Sequence, residues 1–290
     1  MAPTGEYCVD HTLKLPPLNI PDLLQKYGLK PNKRLGQNFL VDPVALERVV
    51  NAADLTEDDT VLEIGAGLGS LTRYLCIQAD HVIAVELDEQ LLSPLADVLS
   101  GFHNVEIIHG DMLKIDPSEL LVHPGYKVVA NIPYYITSKL IRHLLESEIF
   151  PRQLVLTVQH EVAMRITAQP GDMNLLALSV QVYGLPQIRA KIPAGAFFPT
   201  PNVDSAVVSV DIYSKPVVSS QYLTTFFQLA KAGFQHKRKM LRNALGAGLN
   251  LPGTKTEQLL NAAGIDPSRR AETLKISEWD KLAQVFVDNL

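Results

Sequence analysis

Cysteine is nearly absent. The two present, Cys8 and Cys76, lie far apart and form neither a disulfide framework nor a CxxC motif. The eight histidines show no metal-ligand spacing. His160-Glu161 begins like a zinc-protease helix, but Met164 stands where the second histidine would be, so no metal is expected. No apolar run approaches the ~18 residues of a membrane span. The N-terminus lacks the charged-then-apolar order of a secretory signal. A reducing cytoplasm is the expected compartment. No repeat or low-complexity tract occurs, and 290 residues suffice for one large domain and a smaller one.

The most informative absence is local. From Ile212 to Thr256 the chain has no acidic residue, yet it carries Lys215, Lys231, Lys237, Arg238, Lys239, Arg242 and Lys255. A net charge of −5 argues against indiscriminate nucleic-acid binding. A basic surface on an acidic protein points instead to one specific anionic partner, with Lys237, Arg238, Lys239 and Arg242 on a helix as its contacts. An ordinary solvated helix face is the alternative.

Residues 1–19 read as a loose tail. Pro21–Tyr27 predicts a short helix, residues 33–40 a polar loop, and Asp42-Pro43 an N-cap opening a helix to about Ala53. From Thr60 the pattern becomes strand, turn, helix. Strands are expected at 61–64, 81–85, 105–108, 126–130, 153–158, 187–192 and 203–212, with helices at 71–76, 88–99, 136–145 and 161–167. This alternation implies a doubly wound, mostly parallel α/β sheet. After Pro216 only helices are expected, at 222–232, 237–245, 256–263 and 277–287, with breaks at Gly246-Ala247-Gly248 and Leu251-Pro252-Gly253.

Four strand ends carry chemistry. Gly65-Ala66-Gly67-Leu68-Gly69-Ser70 is a turn that lets backbone lie flat against a ligand, its GxGxG spacing unlike the GxGxxG of dinucleotide sites. Glu63 before it would repel a phosphate; it suits a cofactor with a cationic end, or it bonds loop amides. Ser70 reads as a helix cap. Glu86, 21 residues after Gly65, is placed to accept both hydroxyls of a ribose. Asp111 can accept from an exocyclic amine, or serve as a turn aspartate. Asn131-Ile132-Pro133-Tyr134 follows a buried strand. An amide, backbone carbonyls and an aromatic ring there suit a flat amine-bearing ring, and equally a rigid strand-ending turn. Cys76 and Trp279 read as packing residues.

The residues Leu62–Gly69, Glu86, Gly110-Asp111 and Asn131–Tyr134 resemble class I S-adenosylmethionine (SAM) methyltransferases that act on adenine N6. Leu35–Leu40 and Phe197–Ala206 narrow the resemblance to KsgA-type small-subunit ribosomal RNA adenine dimethyltransferases, with the basic segment and the ending Gly264–Trp279 also similar. The resemblance implies a Rossmann-like SAM-dependent domain over 20–214 and a small all-helical RNA-binding domain over 215–290. It implies that Gln37, Asn38, Leu40, Gly65, Ala66, Gly67, Glu86, Leu87, Asp111, Met112 and Asn131 meet the cofactor. Asn131, Ile132, Pro133, Tyr134 and Phe198 would hold the target adenine. The partner implied is the small ribosomal subunit or its precursor, approached by a monomer. One stretch departs: Asn174-Leu175-Leu176-Ala177 stands where the family carries a Tyr-Gly-Arg-like sequence. The competing readings are a resistance-type enzyme acting on large-subunit RNA and a non-catalytic RNA-binding assembly factor on the same scaffold. A dehydrogenase is disfavoured by the glycine spacing.

Overall fold

The structure is a computed structural model that describes residues 15–132, 136–236 and 238–289. The first half of the chain runs α1 (Ile20–Lys26), β1 (Phe39–Leu40), α2 (Pro43–Ala53), β2 (Thr60–Ile64), α3 (Ser70–Gln78), β3 (His81–Glu86), α4 (Glu89–Leu99), β4 (Val105–His109), α5 (Pro117–Leu120), β5 (Lys127–Asn131) and α6 (Thr137–Leu145). Then come β6 (Gln153–Gln159), α7 (His160–Ile166), α8 (Leu175–Gln181), β7 (Gly184–Ile192), β8 (Phe197–Phe198) and β9 (Ser205–Ile212). Four helices close the chain: α9 (Ser220–Gln235), α10 (Leu241–Leu249), α11 (Gly253–Ala262) and α12 (Ile276–Asp288).

Seven strands form one sheet in the order β4-β3-β2-β5-β6-β9-β7. The pairs from β4 through β6 are parallel, whereas β9 is antiparallel to both β6 and β7. The strands β2, β3, β5 and β6 are apolar nearly throughout because helices cover both faces. The chain leaves β2 outward through β3 and β4, then returns to the other side of β2 with β5. That reversal opens a crevice at the carboxyl ends of β2 and β5, the usual ligand position in such sheets.

One apolar cluster lines a face of the sheet with Leu62, Val128 and Leu156 and continues without a break into Phe226, Leu260 and Trp279 of the terminal helices. The other face packs α2 and α3 through Val49, Leu75, Val129 and Val155. Tyr183 stacks on Phe227 of α9, with ring centroids 6.4 Å apart. The amides of Gly171 and Met173 donate to the carbonyl of Glu272 at 2.9 and 3.2 Å. Sheet and helical segment thus share one core.

Several expectations need correction. Residues 15–19 are held rather than loose: Arg73 donates to the Pro16 carbonyl at 3.1 Å, Leu18 packs on Ile20 and Leu24, and Asn19 caps α1. Gly69, not Ser70, occupies the N-cap of α3. Helices α5 and α8 have no counterpart among the helices expected from the sequence pattern. The departing stretch at 174–177 opens α8, with the Asn174 side chain capping the amide of Ala177 at 3.1 Å. Gly246 and Gly248 do not interrupt α10. A Cβ on Gly248 would lie 2.6 Å from that of Ala232, so the glycine permits close approach of α10 to α9. The expected helix at 237–245 starts only at Leu241, and Arg238 and Lys239 are exposed in the preceding turn.

Candidate functional site

Above the carboxyl ends of the parallel strands lies a cavity of about 230 Å³. The strand order places Asp111, Glu86, the Gly65 turn and Asn131 side by side along its floor. All eleven residues expected to meet a cofactor line it: Gln37, Asn38, Leu40, Gly65, Ala66, Gly67, Glu86, Leu87, Asp111, Met112 and Asn131. So does Ile132. Pro133, Tyr134 and Lys237 lie outside the described residues. Phe198 does not reach the cavity wall. It pairs with Phe39 in the β1–β8 ladder and borders a separate cleft against α1.

The Gly-rich turn is fixed by Glu86. This nearly buried carboxylate accepts from the amides of Gly67 at 2.7 Å and Asp88 at 2.8 Å. Burial pushes its pKa up, against the pull of those two amides. Each oxygen retains acceptor capacity beyond these bonds, and Glu86 is among the residues lining the cavity. Gly67 has φ +60, and a Cβ there would come within 3.1 Å of the Phe39 ring, so the loop has to be bare at that point. Asp111 accepts from the amide of Leu113 at 3.1 Å through Oδ1, a turn contact, and its Oδ2 lies 3.7 Å from the exposed Lys114 ammonium.

Glu63 is completely buried, and burial pushes its carboxyl up to about 8; the Thr72 hydroxyl opposes the shift and Glu86 adds to it. Its Oε2 and the Ser70 Oγ are buried without a hydrogen-bond partner among the described residues, and both residues are among those lining the cavity. Two unsatisfied buried polar atoms in residues beside one cavity call for a partner that the described residues do not supply.

Asn131 ends β5. Its Nδ2 donates to the Asn38 carbonyl at 3.0 Å. Only the amide nitrogen can face a carbonyl, so this contact turns the Asn131 oxygen away from the 36–40 strap. The strap itself is anchored by Gln37, whose Nε2 donates to Asp88 Oδ2 at 2.7 Å. Asp88 was legible in the sequence only as the start of α4. Its second role depends on a residue 51 positions away, for which no local signal exists.

Of the basic residues, Arg238 and Lys239 are exposed, but Arg242 is paired with Glu257. The acid-free interval in sequence is therefore not acid-free in space. Among the described residues no cluster of histidine, cysteine, aspartate and glutamate could hold a metal ion, and no helix is long and apolar enough to cross a membrane.

The family model for ribosomal RNA adenine dimethylase matches residues 28–288. A protein of Dehalococcoides mccartyi (strain CBDB1) named ribosomal RNA small subunit methyltransferase A is 46% identical over 269 residues, covering 92% of each chain. A protein of the same name from Pelotomaculum thermopropionicum is 41% identical over 285 residues, covering 94% of this chain and 97% of its own. Among solved structures, a dimethyladenosine transferase from Plasmodium falciparum has a TM-score of 0.75 at 27% identity, covering 86% of this chain and 98% of that one. The 23S rRNA methyltransferase ErmE has a TM-score of 0.69 at 27% identity, covering 86% of this chain and 99% of that one.

Proposed function

Because the chain belongs to the ribosomal RNA adenine dimethylase family, we propose that it transfers methyl groups from SAM to N6 of two adjacent adenines near the 3′ end of small-subunit ribosomal RNA. It would act as a cytoplasmic monomer during subunit maturation. The observation that carries this reading is the Asn131 amide, fixed by the Asn38 carbonyl at the edge of a cavity whose floor is made of the Gly65 turn, Glu86 and Asp111. The ErmE likeness leaves large-subunit RNA as the second reading; the relatives at 46% and 41% identity favour the small subunit.

The donor set fits SAM. Glu63 and Ser70, with unsatisfied buried oxygens, would take the ammonium and carboxylate of its amino acid end. Glu86 would accept the ribose hydroxyls and Asp111 the adenine amine, with Leu87 and Met112 against the purine. When bound, SAM supplies a methyl group on a cationic sulfur. The chain's own part is positional. The N6 lone pair is delocalised into the adenine ring. The Asn131 oxygen and the Ile132 or Pro133 carbonyl accept the two N6 hydrogens and draw them from the ring plane, which localises the pair. The base must leave its stack to reach them, and Tyr134 is the aromatic group proposed to hold it; Phe198, set back from the cavity in the β1–β8 ladder, is not placed to do so. No strong base is needed, because the proton leaves from nitrogen after its lone pair has been used.

Incubating the protein with SAM and unmethylated small subunits, then mapping the modified nucleotides, tests the function. Methylation confined to large-subunit RNA, or none, overturns it.

Two further outcomes are expected. Protonated Glu63 must ionise to meet an ammonium, so SAM binding releases a proton. With a free-protein pKa of about 8, affinity should rise with pH through the neutral range by up to ~10-fold per unit. Glu63→Gln should flatten that slope in calorimetry, and an unchanged slope removes the assignment. Charge reversal of Arg238 and Lys239, exposed beside α10 and proposed with Lys237 and Arg242 to contact phosphates, should weaken RNA binding and lower its salt dependence by about one unit of log–log slope per lost contact. An unaltered slope places the RNA elsewhere.

A further inference from the structure

We propose that Gln37 is a positioning residue for Asn131: its side-chain amide clamps the strap of residues 36–40 across the cavity mouth and thereby sets the rotation of the Asn131 amide. The inference rests on the assignment of Asn131 to the target amine.

The geometry has three parts. First, the acceptor that orients Asn131 is a backbone carbonyl, that of Asn38, at 3.0 Å. Whatever locates the peptide of Asn38 therefore locates the Asn131 oxygen. Second, the backbone anchors of the strap are few: the Gln37 amide donates to the Asn32 carbonyl at 3.3 Å, and just past the strap the Val41 and Asp42 amides donate to the Ala196 carbonyl at 2.9 and 3.3 Å. Downstream it joins a two-residue ladder, Phe39 with Phe198 and Leu40 with Phe197. Upstream it leaves a single 3-10 turn through Gly36 at φ +65. Among the described residues the side chain of Asn38 bonds locally, its Nδ2 donating to the Gly36 carbonyl at 3.1 Å. Third, Gln37 sits between these anchors and uses both ends of its amide. Oε1 accepts from the Asn32 amide at 2.7 Å, and Nε2 donates to Asp88 Oδ2 at 2.7 Å.

Asp88 is a firm post for such a clamp. Its amide donates to Glu86 Oε1 at 2.8 Å, and its Oδ1 accepts from the Gln90 amide at 3.2 Å as the N-cap of α4. A continuous set of contacts therefore runs from Glu86 through Asp88 and Gln37 to Asn38 and Asn131. It ties the tip of β3 to the tip of β5 over the glycine turn of β2. The match is chemical as well as spatial. The donor end of Gln37 faces a carboxylate and its acceptor end faces an N–H, so only an amide satisfies both at that length. If the clamp opens, the Asn38 carbonyl is free to drift. The Asn131 amide can then rotate and present its NH2 to the N6 hydrogens, which repels the substrate at the reacting centre.

The test is a complementary swap. Gln37→Glu keeps the acceptor for Asn32 but sets a carboxylate against Asp88. Asp88→Asn keeps an oxygen to cap α4 but sets an NH2 against that of Gln37. In the double variant an asparagine NH2 again faces a glutamate oxygen. Rates are measured in a single turnover at saturating SAM and RNA, beside the melting temperature and the SAM Kd. Each single variant should slow transfer by about 10- to 100-fold, as expected for a misplacement of an ångström or less, while the RNA KM stays nearly constant. The double variant should recover to within about threefold of the parent, since the clamp geometry is restored. If Gln37→Glu does not fold, Gln37→Met takes its place as the variant without either polar end. The proposal is overturned if the single variants keep the parent rate, if the double variant is as slow as the product of the singles, or if only the melting temperature changes. Asn131→Ala, run alongside, separates the two layers: a parent-like rate there refutes the assignment of Asn131 itself, whereas a slow Asn131→Ala with parent-like clamp variants refutes only the clamp.

Discussion

Replacing Asn131 by alanine is expected to slow methyl transfer by about 10²- to 10³-fold, the loss typical of removing one preorganised hydrogen-bonding group from a reacting centre. SAM affinity should change far less, because Glu63, Ser70, Glu86 and Asp111 hold the other parts of the ligand in this reading. Asn131→Asp should be informative as well. It keeps an acceptor for the amine but turns a carboxylate oxygen toward the Asn38 carbonyl, which now receives an NH2 at 3.0 Å. Its rate should fall between parent and alanine variant. Single-turnover rates with independently measured SAM binding decide the matter. Turnover of Asn131→Ala within a few-fold of the parent would falsify the proposed chemistry.

The second large effect concerns stability and lies at the opposite end of the strands. Asp59, just before β2, is buried and accepts from Lys127 Nζ at 3.1 Å, from the Thr56 amide at 2.8 Å and from Arg152. Lys127, equally buried at the start of β5, also donates to the carbonyls of Ala53 and Asp54 at 2.7 and 2.5 Å. Burial by itself raises the Asp59 pKa, but the Thr56 amide and the Lys127 ammonium outweigh it and hold the carboxyl below its usual range. Asp59→Ala leaves an ammonium buried with only two carbonyls, a loss of about 3–5 kcal/mol. Arg152→Ala, on a half-exposed side chain, should cost about 1 kcal/mol or less. Because the native pKa is depressed, this contribution is fully present above the unfolded value and is lost as pH falls through the native one. Urea unfolding at neutral and acidic pH checks both statements. A neutral-pH loss near that of Arg152→Ala would show that Asp59 is not the centre of the network. SAM binding by the folded fraction should be unaffected, since the network is at the far edge of the sheet.

What the sequence disclosed depended on whether the physics was local. The Gly65 turn, Glu86, Asp111 and Asn131 each end a strand, and strands alternating with helices already imply a parallel sheet with those ends on one side. The helix caps at Asp42 and Asn19 are equally local, but only the first is followed by a clear helical pattern, while the second sits in a stretch without one. What stayed illegible joins distant residues. The Gln37–Asp88 contact spans 51 positions, and the Arg242–Glu257 pair spans 15. Gly248 reads as a breaker in isolation and becomes a contact point only when α9 lies against it. Short helices such as α5 have too few turns to show a period.

The seam between the sheet and α9–α12 has a practical consequence. Tyr183 on Phe227, the Glu272 carbonyl receiving two loop amides, and a single apolar cluster from Leu62 to Trp279 leave no natural cleavage plane near residue 215. A fragment ending there would carry a naked greasy wall and aggregate. Grafting the tail of a relative with different target preference onto this body would therefore demand that both sides of the junction be exchanged together.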